Sequence, residues 1–155
     1  MQRFETLEES YLLRQAIWSD TISLIKAHPF FGTGLGTFAG RYTEHQTTAL
    51  TQFVNQAHND YLQFAAELGL VGAALLFALI LALLGRQIVA FYRAERGRDQ
   101  FLLLGCCGSI LALLFHSFAD FNLQIPANAL VFAAILGLGY AVSGIPLQKD
   151  ENRSA

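Results

Sequence analysis

The alternation of polar and apolar positions changes once, abruptly, along this chain. Up to Gln63 the two kinds are mixed, whereas from Phe64 to Phe91 the positions are almost entirely apolar. Two further apolar runs follow, at about 101–118 and 126–143. Runs of roughly 17 to 25 apolar residues are long enough to cross a bilayer as helices. The pattern therefore predicts an all-α membrane protein with three spans, at about 60–91, 101–118 and 126–143. Residues 1–59 form a preceding loop segment with an interfacial helix, 60–145 hold the spans with a connection at 92–100, and 146–155 form a charged tail.

Before the first span the signals are local. Residues 1–9 read as a polar lead-in, and a helix is expected from about Ser10 to Ala27. Leu13, Ile17 and Leu24 lie on one of its stripes, interrupted by Asp20; Arg14, Trp18, Thr21 and Ile25 lie on another. Pro29 disfavours helix at His28, so the helix should stop there. Its charges argue for an interfacial position. Gly32, Gly34 and Gly36 alternate through Phe30–Ala39 and forbid a regular element. No Gly-Lys-Ser/Thr follows and no βαβ context exists, so neither a Walker loop nor a dinucleotide loop is supported. The run reads either as a tight turn or as an anion nest of exposed N–H groups. The polar stretch from Gly40 to Gln56 reads as loop or short helix.

The junction is Gln56-Ala57-His58-Asn59-Asp60-Tyr61-Leu62-Gln63. Asp60, with Gln63 three residues on, resembles a capping box. On a helix extended back through His58, the residues His58, Leu62, Ala65, Gly69 and Gly72 share a stripe. Small residues there would let a neighbouring helix approach closely. The positive end of the helix favours a neutral imidazole and a nearby anionic ligand. A neutral imidazole can accept a proton from a hydroxyl. The plainer reading is a polar residue at a membrane interface.

Composition sharpens the class. Of 155 residues, 54% are hydrophobic and 14% charged, and the mean hydropathy is +0.40, too apolar for an ordinary soluble domain. A net charge of -2 leaves no nucleic-acid footprint. The two cysteines, Cys106 and Cys107, are adjacent in an apolar run and read as buried thiols. Arg86, Arg93, Arg96 and Arg98 flank the first connection, which the positive-inside rule makes cytoplasmic. Residues 1–59 and the turn at 117–126 are then periplasmic and the tail cytoplasmic. No secretory signal precedes the first loop. Something upstream would have to thread it outward, so the expectation is a C-terminal portion of a longer polytopic protein.

Few side chains on the periplasmic side suit chemistry. His116 and Asp120 are four apart and neighbours on a helix, either as an interface pair or as groups that orient His58 or bind hydroxyls. Arg14 precedes Trp18 by four, a spacing that permits a cation–π contact. A planar guanidinium suits phosphate oxygens. Arg41 is a second cation, with a solvated surface charge as its alternative. The four histidines, His28, His45, His58 and His116, show no metal-binding spacing. Neither a Gly-x-Ser-x-Gly elbow nor a pair of opposed carboxylates supports a hydrolase.

His58-Asn59, nine residues, Gly69, two residues and Gly72 together resemble the His-Asn/Ser/Gln motif of the bacterial O-antigen ligase and O-antigen polymerase family. Arg14-x3-Trp18 and His28-Pro29-Phe30-Phe31-Gly32-x-Gly34-x-Gly36-x-Phe38 resemble that family's long periplasmic loop. The pattern from His116 through Asp120 and Pro126 to Asn128 resembles the segment before its last helices. The likeness covers most of residues 10–142. It implies a polytopic inner-membrane glycosyltransferase that needs neither metal nor cofactor. The donor would be a glycan on undecaprenyl diphosphate; the acceptor would be a lipid A-core sugar for a ligase and another lipid-linked repeat for a polymerase. Some relatives transfer to protein hydroxyls.

Carried over by motif, His58 matches the essential histidine and Arg14 the arginine that meets the diphosphate. Arg41, Asn59, His116 and Asp120 become candidate substrate contacts, and Gly32, Gly34, Gly36, Gly69 and Gly72 structural positions. An arginine that members carry on an earlier periplasmic loop has no counterpart here, nor do their upstream helices. The chain thus resembles the C-terminal part of a member. A rival reading is a non-catalytic membrane module that binds lipid-linked glycan or scaffolds a partner. A continuous reading frame with more spans upstream of Met1 would separate the two. A small transporter would need a charged pathway or an inverted repeat, and neither is visible.

Overall fold

The computed structural model describes residues 2–47, 53–94 and 97–144, with side chains from Tyr11 onward. Among these described residues five helices follow in order: α1 (Gln2–Ala27), α2 (Phe38–Tyr42), α3 (Asp60–Arg93), α4 (Arg98–His116) and α5 (Pro126–Gly144), with a 3₁₀ turn at Asn122–Gln124. No strand occurs among the described residues. Helices α3, α4 and α5 are long and apolar enough to cross a membrane, which makes the protein all-α with three candidate spans. Arg96 and the tail at 146–155 lie outside the described residues.

The three spans pack around Ile80, Leu84, Cys107, Ile110, Leu114 and Phe132. Both cysteines are free and buried. Leu75, Leu79, Leu111 and Leu130 point outward with more than half of their surface uncovered. Apolar exposure on that scale suits lipid rather than water. The amide of Gln87 is fully buried where α5 passes, donating to the Leu136 carbonyl. Gly139 makes that approach possible, since a Cβ there would overlap the amide.

Helix α1 stops at Ala27, two residues before Pro29, but starts at Gln2, so the described part of the lead-in, residues 2–9, is helical. It packs with α2 and the first part of α3 around Ile17, Leu24, Phe38, Tyr42, Ala57 and Ala66. Asp20, read as an interruption of the apolar stripe, is instead 1% exposed at the centre of this contact. It accepts hydrogen bonds from the Tyr42 hydroxyl, the Thr47 amide and the Thr47 hydroxyl, at 3.1, 3.2 and 2.7 Å. A buried carboxylate is tolerated when donors surround it in this way. Burial, then the neighbouring Asp20 charge, pushes the Tyr42 phenol well above its ordinary range.

Two expectations at the junction change. The N-cap of α3 is Asn59, not Asp60: its Oδ1 accepts from the Leu62 amide at 3.1 Å. The Gln63 side chain reaches back to the Ala57 amide at 3.0 Å, one turn of backbone earlier than a capping box would require. His58 is not on the helix either. It has φ +51°, a left-handed conformation uncommon for residues with a Cβ. The stripe drawn back through His58 therefore breaks at the cap.

The stripe breaks again at Gly69, whose φ of 70° and ψ of 173° interrupt α3. That region of backbone space is almost exclusive to glycine. The kink frees polar groups of α3, and the glycine loop satisfies them. Thr33 N donates to Ala66 O at 3.0 Å, Gly34 N to Glu67 O at 2.8 Å, and Leu70 N to Pro29 O at 2.8 Å. A Cβ on Gly32 would overlap Glu67 O and Gly69 N, and one on Gly69 would overlap Phe30 O. The close approach is thus loop to helix, not helix to helix. Gly72 takes no part in it, because the space beside it is bounded by Leu68 of the same helix.

Candidate functional site

The site is assembled where the α4–α5 turn meets the start of α3. Asp60 is fully buried. Its Oδ2 accepts from the Ser117 hydroxyl at 2.8 Å and from Leu123 N at 3.0 Å, while its own N–H donates to Ser117 O at 2.9 Å. Asn59 adds a bond from Nδ2 to Phe118 O at 3.1 Å. The Tyr61 ring lies 4.4 Å from that of Phe118, and its hydroxyl donates to Leu114 O at 2.8 Å. Three consecutive residues of α3 and its cap therefore fix residues 114–123. The sequence marked Asp60 only as a cap candidate, because its partners are 57 and 63 residues away.

That fixed turn carries Asp120 to His58. His58 Nδ1 is 3.6 Å from Asp120 Oδ1. The atom is buried and has no hydrogen-bond partner among the described residues. The imidazole sits edge-on to Phe121, with ring centroids 5.0 Å apart. Asp120 Oδ1 accepts from Phe121 N at 3.0 Å, which fixes the carboxylate. His116 Nε2 approaches Oδ2 at 4.0 Å. One carboxylate thus stands between two imidazoles, and about a third of the His58 side chain remains exposed.

Arg14 arrives from α1. Its Nη1 donates to Ala119 O at 3.2 Å, one residue from Asp120. Trp18, one turn later, does not hold the guanidinium. Its indole donates to Ala57 O at 3.0 Å, immediately before His58. Among the described residues the cation–π contact belongs to Arg86 over Tyr140. His58, Arg14, Asn59, His116 and Asp120 thus meet around residues 117–121. Arg41 does not join them, being exposed and paired with Glu44 at 3.0 Å.

The glycine loop does not offer an anion nest at its centre. The N–H groups of Gly32, Thr33 and Gly34 all donate to backbone carbonyls. No cluster of three or more potential metal ligands occurs among the described residues.

A polar cleft of about 430 Å³ lies next to this assembly, lined by Asn55, Gln56, Gln63, Glu67 and Gln124 together with Gly36. Gln56 Oε1 and Gln124 Nε2 are buried and have no partner among the described residues. Glu67 is 2% exposed and caps the start of α2 through Phe38 N at 3.1 Å. Scattered glutamines carry no motif, so sequence reasoning missed this group. Only their flanking positions, two before His58 and four after Asp120, gave a hint.

Three apolar helices topped by a histidine–carboxylate–arginine cluster define a polytopic membrane protein with a polar site at one end. Residues 1–77 match the family described as O-antigen ligase, and the chain belongs to that family. No curated protein and no solved structure matches it. Membership gives the chain a ligase- or polymerase-like role in surface polysaccharide assembly, with glycosyltransferase-type activity.

Proposed function

We propose that the protein transfers a glycan from undecaprenyl diphosphate to an acceptor hydroxyl, at the periplasmic face of the bacterial inner membrane. The reading rests on one observation above all: His58 faces Asp120 and Arg14 bonds to Ala119, neighbouring residues of one turn. A base and a cation so placed can serve the two ends of one displacement. The acceptor oxygen forms a bond to the anomeric carbon while the bond from that carbon to the diphosphate oxygen breaks. The electron pair leaves with undecaprenyl diphosphate, and the hydroxyl proton passes to His58. Attack opposite the leaving group inverts the anomeric carbon.

Each residue then has a role that its surroundings support. Asp120 faces Nδ1 and orients the ring, so that Nε2 meets the hydroxyl; the residue pair follows the logic of a base held by a carboxylate. Arg14 stabilises the charge that develops on the diphosphate. Because diphosphate is a good leaving group, little acid catalysis is required, and neither a metal nor a cofactor enters this scheme. The amides of Gln56, Gln63 and Gln124 suit the hydroxyl-rich face of a sugar, because each amide both donates and accepts. His116 and Asn59 frame the same turn, while Arg41 would serve as a second phosphate contact only by leaving Glu44.

The test is His58→Ala in the intact protein, with membrane insertion and thermal unfolding as controls. Transfer should fall by about 10²- to 10⁴-fold, the range of positioned acid–base groups, with the fold retained. Unchanged transfer removes His58 from the mechanism. Surface polysaccharide from a deletion strain separates the subclasses: loss of all attached long chains marks a ligase, and a single repeat on the core marks a polymerase.

A further inference from the structure

The opposite end of the bundle holds a cavity of about 470 Å³, where α3 and α5 finish and α4 begins. Helix α3 contributes Arg86 and Arg93, seven residues apart and so on one face. Helix α5 contributes Ser143 and α4 contributes Asp99. The remaining walls are apolar, among them Val89, Leu103 and Val142.

Arginines near the end of a membrane helix commonly extend outward to water. Arg86 is exposed as well, but it folds back onto α5. Its Nε donates to Ser143 Oγ at 3.0 Å, and its guanidinium carbon sits 4.7 Å from the centroid of the Tyr140 ring. Ser143 Oγ in turn donates to Tyr140 O at 2.7 Å. Helix α5 thereby holds the guanidinium of α3 in one orientation. Among the described residues no carboxylate lies within ion-pair distance of Arg86 or Arg93; Asp99 is 3.8 Å from Arg98. Arg98 thus balances Asp99, and Arg86 and Arg93 face the cavity without a carboxylate partner among the described residues.

We infer that this cavity binds the phosphodiester headgroup of an anionic phospholipid. The two cations suit a phosphate group, and the apolar lining beside them suits a phosphodiester that carries acyl chains rather than free phosphate. Val89, 47% exposed, continues the apolar wall onto the outward surface of α3, where the glycerol and the first methylenes of an acyl chain can follow. Basic pockets between membrane helices select anionic headgroups in this way. The site is independent of glycan transfer and of every residue around His58.

The test uses the full-length protein in neutral detergent, with lipid retention followed by native mass spectrometry. Phosphatidylglycerol should bind in preference to phosphatidylcholine, and each of Arg86→Met and Arg93→Met should weaken it about fivefold. Asp99→Asn should strengthen binding, a gain that a merely structural disturbance would not produce. Arg86→Met also removes the Ser143 contact, so Arg93→Met carries the test if the first variant misfolds. Equal retention of the two lipids, or a preference that survives both arginine variants, overturns the assignment. Displacement of the lipid by equimolar inorganic phosphate overturns it too, in favour of a free-anion site.

Discussion

Gly32 and Gly69 lie backbone against backbone, each occupying space in which the other's surroundings leave no room for a Cβ. Gly69 has φ +70° and Gly32 φ +66°, so both conformation and contact demand glycine. Gly69→Ala should destabilise the protein by about 3 kcal/mol or more, combining backbone strain with overpacking. Gly105→Ala, at a helical position of α4 with nothing within 4 Å of the added Cβ, is the control and should cost far less. Thermal unfolding in detergent checks the difference, and comparable losses at the two positions would refute this loop-to-helix contact as the cause.

Asp120→Asn keeps the acceptor for Phe121 N but removes the charge facing His58. Transfer should fall by roughly tenfold or more, a part of the full acid–base contribution of about 10²- to 10⁴-fold, while the unfolding temperature stays near that of the parent protein. Asp120→Asn in the His58→Ala background should add little further loss, because the two act through one group. Additive losses would show that Asp120 acts elsewhere.

Asp60 separates a hydrogen-bond role from a charge role. Asp60→Ala leaves Ser117 Oγ and Leu123 N without their acceptor, at a cost of about 1–3 kcal/mol for each donor left buried. Asp60→Asn retains an oxygen for both but buries its amide nitrogen where Oδ1 has no partner among the described residues, so it should lose stability, though less than the alanine variant. Transfer by the alanine variant should fall along with the fold, since residues 117–123 carry Asp120. Unfolding temperature and transfer, measured on both variants, decide it.

Tyr42 makes the protein sensitive to alkali. Its phenol is raised above the ordinary value by burial and by Asp20. The unfolded chain therefore releases this proton near pH 10, while the folded chain still holds it. Stability should be unaffected below about pH 10 and fall as pH rises above it. Tyr42→Phe should lose the Asp20 bond, about 1 kcal/mol at neutral pH, and flatten the alkaline limb. An identical limb in the variant would assign the sensitivity to another group.

The spans and the end of α1 were legible because their causes are local: apolar runs and Pro29. The glycine loop was legible as a break, but its hydrogen bonds were not, since Thr33 and Gly34 pair with residues 33 positions away. Asp20 looked like a flaw in a stripe because Tyr42 and Thr47, which justify its burial, lie more than twenty residues on. Asp60 and Gln63 matched a capping pattern by spacing, yet the left-handed turn at His58 moved the cap to Asn59. The resemblance identified His58 and Arg14; that both reach one turn depends on tertiary contacts no spacing rule encodes.

The burial of Cys106 and Cys107 in the packed faces of α4 makes the protein ready for topological mapping without prior removal of its thiols. A membrane-impermeant maleimide should leave the parent chain unlabelled. A single cysteine introduced at Phe31, which is 85% exposed, or at Tyr92, which is 80% exposed, would then report which side of the membrane each end of the bundle faces.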